Sequence, residues 1–142
     1  MSDPDCIFCK IVAGELAATV IDQDERTIAF MDINPATRGH ALVATREHVR
    51  DLLEIGPEDL AATLNTAQRL ARRMTERLGA DGINLLNNTG AASWQEVFHY
   101  HLHVIPRWEG DNFGIKFPPH YGAAADRKTL DDVAGRLRKR LA

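Results

Sequence analysis

Three histidines, His99, His101 and His103, alternate with apolar or aromatic residues in the last third of the sequence. The residues that follow them in turn are Tyr100, Leu102 and Val104. In a β-strand alternate side chains leave the same face, so this spacing predicts a row of imidazoles on one face and core residues on the other. Adjacent imidazoles gain little from burial together unless a ligand, a metal or an anion lies before them. The pattern therefore predicts a functional site.

Two chemistries fit a row of three imidazoles. A catalytic metal could be bound by all three rings, with a water molecule as the fourth ligand. Alternatively, one neutral imidazole attacks an electrophile in a metal-free pocket while its neighbours bind an anion and move protons.

Cys6 and Cys9 are the only cysteines, so no disulfide framework stabilises this chain. Their CxxC spacing is typical of a structural zinc site that takes two further ligands from elsewhere in the chain. If His99 is one of those ligands, His101 remains free for chemistry. The alternative interpretation is a pair of thiols without a metal.

The elements that must position these residues are predicted from hydrophobic periodicity and turn residues. Strands are expected at residues 19–21, 27–31, 40–44, 82–87 and 99–105. A long helix is expected to begin near Pro57 and end at Gly79, and a second helix is expected over 130–141. The apolar stripe predicted for the long helix consists of Leu60, Leu64, Ala67, Ala71, Met74 and Leu78. These elements predict an α+β domain with a mostly antiparallel sheet of about five strands.

Composition narrows the class of protein. With 142 residues and 44% hydrophobic residues, we expect one compact domain. The formal net charge of −3 provides no basic field for a polyanion, so nucleic acid is not an expected partner. No apolar run has the length of a membrane span and the N-terminus does not resemble a secretion signal, so we expect a cytoplasmic protein with no membrane partner.

The sequence resembles the histidine triad (HIT) superfamily, and within it the bacterial Hint-like branch. The likeness lies in several separated motifs over residues 5 to 113: 6–11 (CIFCKI), 29–35 (AFMDINP), 38–43 (RGHALV), 88–90 (NTG) and 95–107 (QEVFHYHLHVIPR). The resemblance implies a HIT domain over 1–110, a C-terminal arm and helix over 111–142 packed on it, and a homodimer whose sheets join.

The implied function is that of a purine nucleoside phosphoramidate hydrolase that forms a covalent nucleotidyl-histidine. A dinucleoside polyphosphate hydrolase, a nucleotidyl transferase and a non-catalytic nucleotide-binding regulator are the alternatives. By the resemblance, His101 is the nucleophile, and His103 binds the phosphate and passes a proton to the leaving group. Gln95 and Asn88 would orient the phosphate and the histidine row, with turn formation at a strand end as an equal alternative for both. His40 would be a supporting histidine behind the triad.

The resemblance also implies a nucleoside pocket. Asp32 would accept the ribose hydroxyls, although a turn-forming role before residues 34–35 explains it almost as well. Phe30 and Leu16 would line the base pocket, with core packing as the alternative.

The implied cofactor is a structural Zn²⁺, with no metal required for catalysis. Its ligands in this sequence would be Cys6, Cys9, His48 and His99. The chain departs from the family pattern in the phosphate loop, where Trp94 replaces a usual glycine and Glu96 a small hydroxyl residue. Because tryptophan resists positive φ and a carboxylate repels phosphate, we expect an altered loop in which Glu96 turns outward or reaches the other subunit.

Overall fold

A computed structural model describes residues 2–138. Its five strands, β1 to β5, are Val20–Gln23, Thr27–Met31, Ala41–Thr45, Gly82–Leu86 and His101–Arg107. Its three α-helices, α1 to α3, are Ile7–Val12, Pro57–Leu78 and Arg127–Arg138. All paired strands are antiparallel, in the order β1-β2-β3-β5-β4. The predicted α+β fold with five strands, one long helix and a C-terminal helix is confirmed.

The two faces of the sheet are buried in different ways. The long helix α2 covers one face, where Leu70 and Met74 pack with Val43, Leu102 and Val104. The other face carries a second cluster, consisting of Phe8, Ile28, Phe30, Leu42 and Ala44. Since β5 alternates between these faces, its residues Leu102 and Val104 enter the first cluster, and its histidines lie on the face of the second.

Helix α2 ends as predicted, because Gly79 adopts the left-handed conformation at φ 68°. Its buried face is rotated from the predicted stripe. Leu70 is 2% exposed and enters the core, whereas Leu64 is 46% exposed. Leu64 and Ala71 instead line a groove beside β4, an edge strand of the sheet.

Strand β5 begins two residues later than the periodicity predicted. The backbone N–H of Tyr100 donates to the Val49 carbonyl at 2.7 Å, outside the ladder between β3 and β5. His99 therefore precedes the strand and is held by the loop after β3. Helix α1 was not predicted, because it is too short to show helical periodicity. It begins with the Cys6 thiol accepting the Cys9 N–H.

Helix α3 differs from the expectation that it packs on the domain, whereas the start of the C-terminal arm contacts β5, where Arg107 donates to Asp111 and to the Phe113 carbonyl. Between residues 127 and 138, α3 buries no residue, and its apolar side chains Leu130, Val133 and Leu137 are exposed. The predicted helix end at 139–141 lies outside the described residues. In the part of the chain that the structure describes, no helix has both the length and the apolar character needed to cross a membrane.

Candidate active site and metal centre

His101 has one ring nitrogen fixed by the backbone and one left free. Its Nδ1 lies 2.7 Å from the His99 carbonyl oxygen, which can only accept, so Nδ1 carries the proton and donates. The Nε2 atom of the neutral ring then has a lone pair. Within residues 2–138 no hydrogen-bond partner is found for this Nε2, and the ring is 8% exposed. The Phe8 ring packs edge-on against it at 5.0 Å between centroids.

His103 follows on the same face, with its ring centroid 5.1 Å from that of His101. Its Nδ1 lies 2.9 Å from the Nε2 of His40, the residue before β3. The Asp32 Oδ2 atom lies 3.5 Å from the same His40 nitrogen. The supporting role predicted for His40 thus has a definite contact, because His40 joins His103 to Asp32.

Burial keeps these imidazoles neutral. It is the main cause that lowers the pKa of His101, and it also lowers the pKa of His40, where the Asp32 carboxylate opposes it. It lowers the pKa of His103 from its ordinary 6.5 to about 4, with smaller contributions from His101 and His40. A neutral nucleophile keeps its lone pair at pH 7. A neutral His103 enters the reaction as a hydrogen-bond donor, whereas the predicted proton transfer to the leaving group needs a protonated ring.

The third histidine is part of a different group. The Nδ1 atom of His99 lies 3.3 Å from Cys6 Sγ and 3.6 Å from Cys9 Sγ, and the Nδ1 of His48 lies 3.4 Å from Cys9 Sγ. The edge between a sulfur and a nitrogen ligand of a tetrahedral zinc ion is about 3.5 Å, from bond lengths of about 2.3 and 2.0 Å. The four side chains predicted as zinc ligands therefore have the arrangement that a Cys₂His₂ site requires.

The tautomer of His99 agrees with this role. Its Nε2 lies 2.7 Å from the Thr45 carbonyl oxygen and so carries the proton, which leaves the Nδ1 lone pair directed at the sulfurs. Burial raises the pKa of the Cys6 thiol, a cost that a bound cation would offset. Because His99 and His103 belong to different donor groups and His101 belongs to neither, the geometry contradicts a catalytic metal held by all three histidines.

The nucleoside-pocket residues differ in accessibility. Asp32 accepts the Asn34 N–H on Oδ1 at 2.8 Å, so the turn-forming role is present, while Oδ2 lies toward His40. Leu16 is 44% exposed and accessible to a ligand. Phe30 is 3% exposed and packs edge-on against Phe8 at 5.3 Å, so core packing, the alternative interpretation, describes it here.

Gln95 requires a correction. Its Oε1 accepts the Gly90 N–H at 2.7 Å, and its Nε2 donates to the carbonyls of Arg50 and Val97 at 2.9 and 3.3 Å. Because backbone partners occupy both ends of this buried amide, Gln95 stabilises the loop and has no free group for phosphate or the histidine row.

Of the two neighbouring asparagines, the one that contacts the histidine row is not the one that was predicted. Asn88 donates to the Trp94 carbonyl at 3.4 Å. It is Asn87, missed in the sequence, that donates to the His101 carbonyl at 2.9 Å. Asparagine directly after a strand was the available signal, but the strand register was needed to choose between the two.

In the phosphate loop, Trp94 has the left-handed backbone conformation that favours glycine. Trp94 adopts φ 71° and ψ 23° and is 67% exposed. A non-glycine residue in this conformation costs on the order of 1 kcal/mol. Glu96 is exposed and lines a cavity beside Cys6 and His48, in agreement with the expectation that it turns outward.

The lowered pKa of His103 predicts a pH effect on stability. Below its ordinary pKa of 6.5, the unfolded chain binds the proton while the folded ring, with a pKa of about 4, stays neutral. Stability is therefore fully present above pH 6.5 and falls toward pH 4. We expect His103→Asn to remove on the order of 2 kcal/mol of the stability difference between pH 7 and pH 4.5, measured by urea unfolding.

His120→Asn is the matched control because His120 is exposed. Both variants keep the four predicted metal ligands, so metal loss in acid affects them alike. Equal pH dependence in wild type and His103→Asn would contradict the prediction.

These features define an α+β domain with the unpaired Nε2 of His101 on its sheet and a separate Cys₂His₂ group. The family model for the HIT domain matches residues 13–110, so the chain belongs to the HIT family, as the motifs indicated. A crystal structure of a HIT family member from Bacillus subtilis is 34% identical, covers 97% of this chain and 98% of that one, and has a TM-score of 0.88.

Two further relatives bear on the site. A structure described as a Zn-bound histidine triad family protein from Mycobacterium smegmatis is 40% identical over 94% of this chain and 95% of that chain, with a TM-score of 0.76. Adenylylsulfatase HINT3 of Arabidopsis thaliana is 37% identical over 107 residues, or 75% of this chain and 54% of the relative.

Proposed function

We propose that this chain hydrolyses purine nucleoside 5′-phosphoramidates through a nucleotidyl group carried on His101. HIT relatives support the broader class of nucleotide hydrolase or transferase, and the relative named an adenylylsulfatase supports an adenylyl substrate. The observation that carries the proposal is the free Nε2 lone pair of His101, whose Nδ1–H is held by the His99 carbonyl.

The first step forms a bond between His101 Nε2 and the α-phosphorus. The P–N bond of the substrate breaks, and the leaving nitrogen takes the electron pair and a proton from water. As positive charge develops on the His101 ring, the bond from Nδ1–H to the His99 carbonyl strengthens and stabilises it.

The second step returns the enzyme to its starting state. Water attacks the phosphorus, the bond to Nε2 breaks with its electron pair returning to the ring, and the proton from water goes to solvent. In both steps His103 donates from Nε2 to a non-bridging phosphate oxygen, since its Nδ1 is occupied by His40.

Zinc bound by Cys6, Cys9, His48 and His99 would supply structural cross-linking. These residues would join α1 to the loop after β3 and to the segment that leads into β5. Since the His99 carbonyl orients His101, this cross-link would also hold the nucleophile in position.

The leaving group is tested by comparing AMP release from adenosine 5′-phosphoramidate with that from diadenosine polyphosphates. Preferential turnover of the phosphoramidate supports the proposal, and preferential turnover of the polyphosphates assigns the chain to the alternative hydrolase or transferase. Tight AMP binding by calorimetry with no product from any substrate would favour a non-catalytic regulator and contradict the proposal.

The ribose contact predicts a specific loss. Asp32→Asn should weaken AMP binding about tenfold or more, because a charge-assisted acceptor for the ribose hydroxyls becomes a neutral one. The same variant should lose discrimination between AMP and 2′-deoxy-AMP, measured by calorimetry. Glu25→Gln, which removes a negative charge in the turn between β1 and β2, is the control. If Asp32→Asn still distinguished AMP from 2′-deoxy-AMP as well as wild type does, the ribose contact would be contradicted and Asp32 would have only its role in the turn.

A second copy of the chain is the proposed protein partner. β4 is an edge strand, and the groove beside it is lined by Leu64, Ala67, Ala71, Ile83 and Leu85. Leu85 is 48% exposed, so pairing of two β4 edges would bury apolar area as well as backbone groups. We expect Leu85→Lys to convert a dimer to a monomer in sedimentation, whereas Leu53→Lys, in a loop, should not.

A further inference from the structure

The proton on His40 is placed by a backbone group. The Ala36 N–H donates to His40 Nδ1 at 3.0 Å. A peptide N–H can only donate, so Nδ1 must be the unprotonated nitrogen of neutral His40. Its proton therefore lies on Nε2, and the nearby Asp32 carboxylate favours it there, at 3.5 Å from that nitrogen.

The tautomer of His40 in turn determines the tautomer of His103. His40 Nε2 and His103 Nδ1 are 2.9 Å apart, and with the proton on His40 the His103 nitrogen must accept. Neutral His103 then carries its proton on Nε2. His40 is 5% exposed, so its ring cannot readily exchange the Ala36 contact for water.

We propose that the Ala36 peptide N–H, acting through His40, fixes His103 as a neutral imidazole that donates from Nε2. Ala36 and His40 are thus positioning residues for His103. The consequence for catalysis rests on the proposed function, in which His103 donates to a phosphate oxygen. The opposite His40 tautomer would set two donors against each other at Ala36, and His103 would then have to donate from Nδ1 and keep no proton on Nε2.

This arrangement also disfavours a second proton on His103. A second proton on His103 would go to Nδ1, where the Nε2–H of His40 already points. Accepting it would require His40 to change tautomer against the Ala36 N–H. His103 therefore supplies a hydrogen bond and does not protonate the leaving group.

The test reads the tautomers directly. In protein labelled with ¹⁵N-histidine, long-range ¹⁵N–¹H spectra distinguish an Nε2–H from an Nδ1–H imidazole, with and without AMP. We expect the Nε2–H form of His103 in wild type in both states. An Nδ1–H form, or an imidazolium with AMP at pH 7, would overturn the proposal.

A matched pair of variants isolates the peptide proton. Ala36→Gly keeps the N–H and should keep the His103 tautomer, whereas Ala36→Pro removes it and should give a mixture of tautomers. Loss of a fixed donor should weaken AMP binding about tenfold in Ala36→Pro, consistent with one hydrogen bond to a charged group. An unchanged tautomer in Ala36→Pro would overturn the proposal.

If proline disrupts the loop, a backbone ester between residues 35 and 36 removes the Ala36 N–H without adding a proline ring. An unchanged His103 tautomer in the ester protein would then overturn the proposal. The spectra need no turnover, so the two proposals can fail separately. Wild type that shows the Nε2–H form but hydrolyses nothing would refute the proposed function and keep the tautomer assignment.

Discussion

Replacing His101 with alanine is expected to reduce release of AMP from adenosine 5′-phosphoramidate by about 10⁴-fold or more. The imidazole supplies the atom that bonds to phosphorus, and no other described histidine in the row has a free lone pair in the same position. The Nδ1 of His103 is occupied by His40, and the Nδ1 of His99 lies among the sulfurs. Steady-state kinetics with the purified variant measures the loss.

His101→Ala should keep its metal content, because His101 is outside the Cys₂His₂ group. His120→Ala, at an exposed position, is the control for the loss of an imidazole and should retain full activity. Substantial hydrolysis by a correctly folded His101→Ala protein would show that another group attacks the phosphorus.

Cys9→Ser is expected to abolish zinc binding and to lower the free energy of unfolding by several kcal/mol, on the order of 3 to 5. Cys9 is 4% exposed and its sulfur lies within 3.6 Å of both histidine ligands, so its loss opens the centre of the group. Activity should fall as well, because His99 orients His101. Metal analysis and thermal unfolding measure both effects.

Wild type treated with a chelator separates the metal from the change in packing that serine introduces. It should melt well below the zinc-loaded protein and recover when zinc is restored. Identical melting of chelated and zinc-loaded wild type would contradict a structural metal at this position.

Much of the architecture follows from local sequence patterns. Alternation at residues 99–105 correctly separates Leu102 and Val104, which enter the core, from His101 and His103 on the opposite face. Pro57 and Gly79 correctly bracket the long helix, since both residues act through their own backbone conformation. The zinc ligand set came from the family resemblance, and the distances among its atoms now support it.

The parts that the sequence did not predict depend on contacts between distant backbone and side-chain groups. Gln95 has the right polarity for phosphate, yet its amide is occupied by the Gly90 N–H and the Arg50 carbonyl. Asn87 and Ala36 act through single hydrogen bonds to residues of the histidine site, and neither contact leaves a spacing pattern. Leu64 was misplaced because helical periodicity cannot distinguish a core from an open edge groove.

In the proposed mechanism, two successive displacements at phosphorus pass through His101. The most direct measurement is the stereochemical course of hydrolysis of an adenosine phosphoramidothioate that is chiral at phosphorus, run in ¹⁸O-labelled water. Each in-line displacement inverts the phosphorus, so two of them predict overall retention, whether or not the intermediate accumulates. Inversion would mean that water attacks the substrate directly and would contradict a nucleotidyl-histidine intermediate.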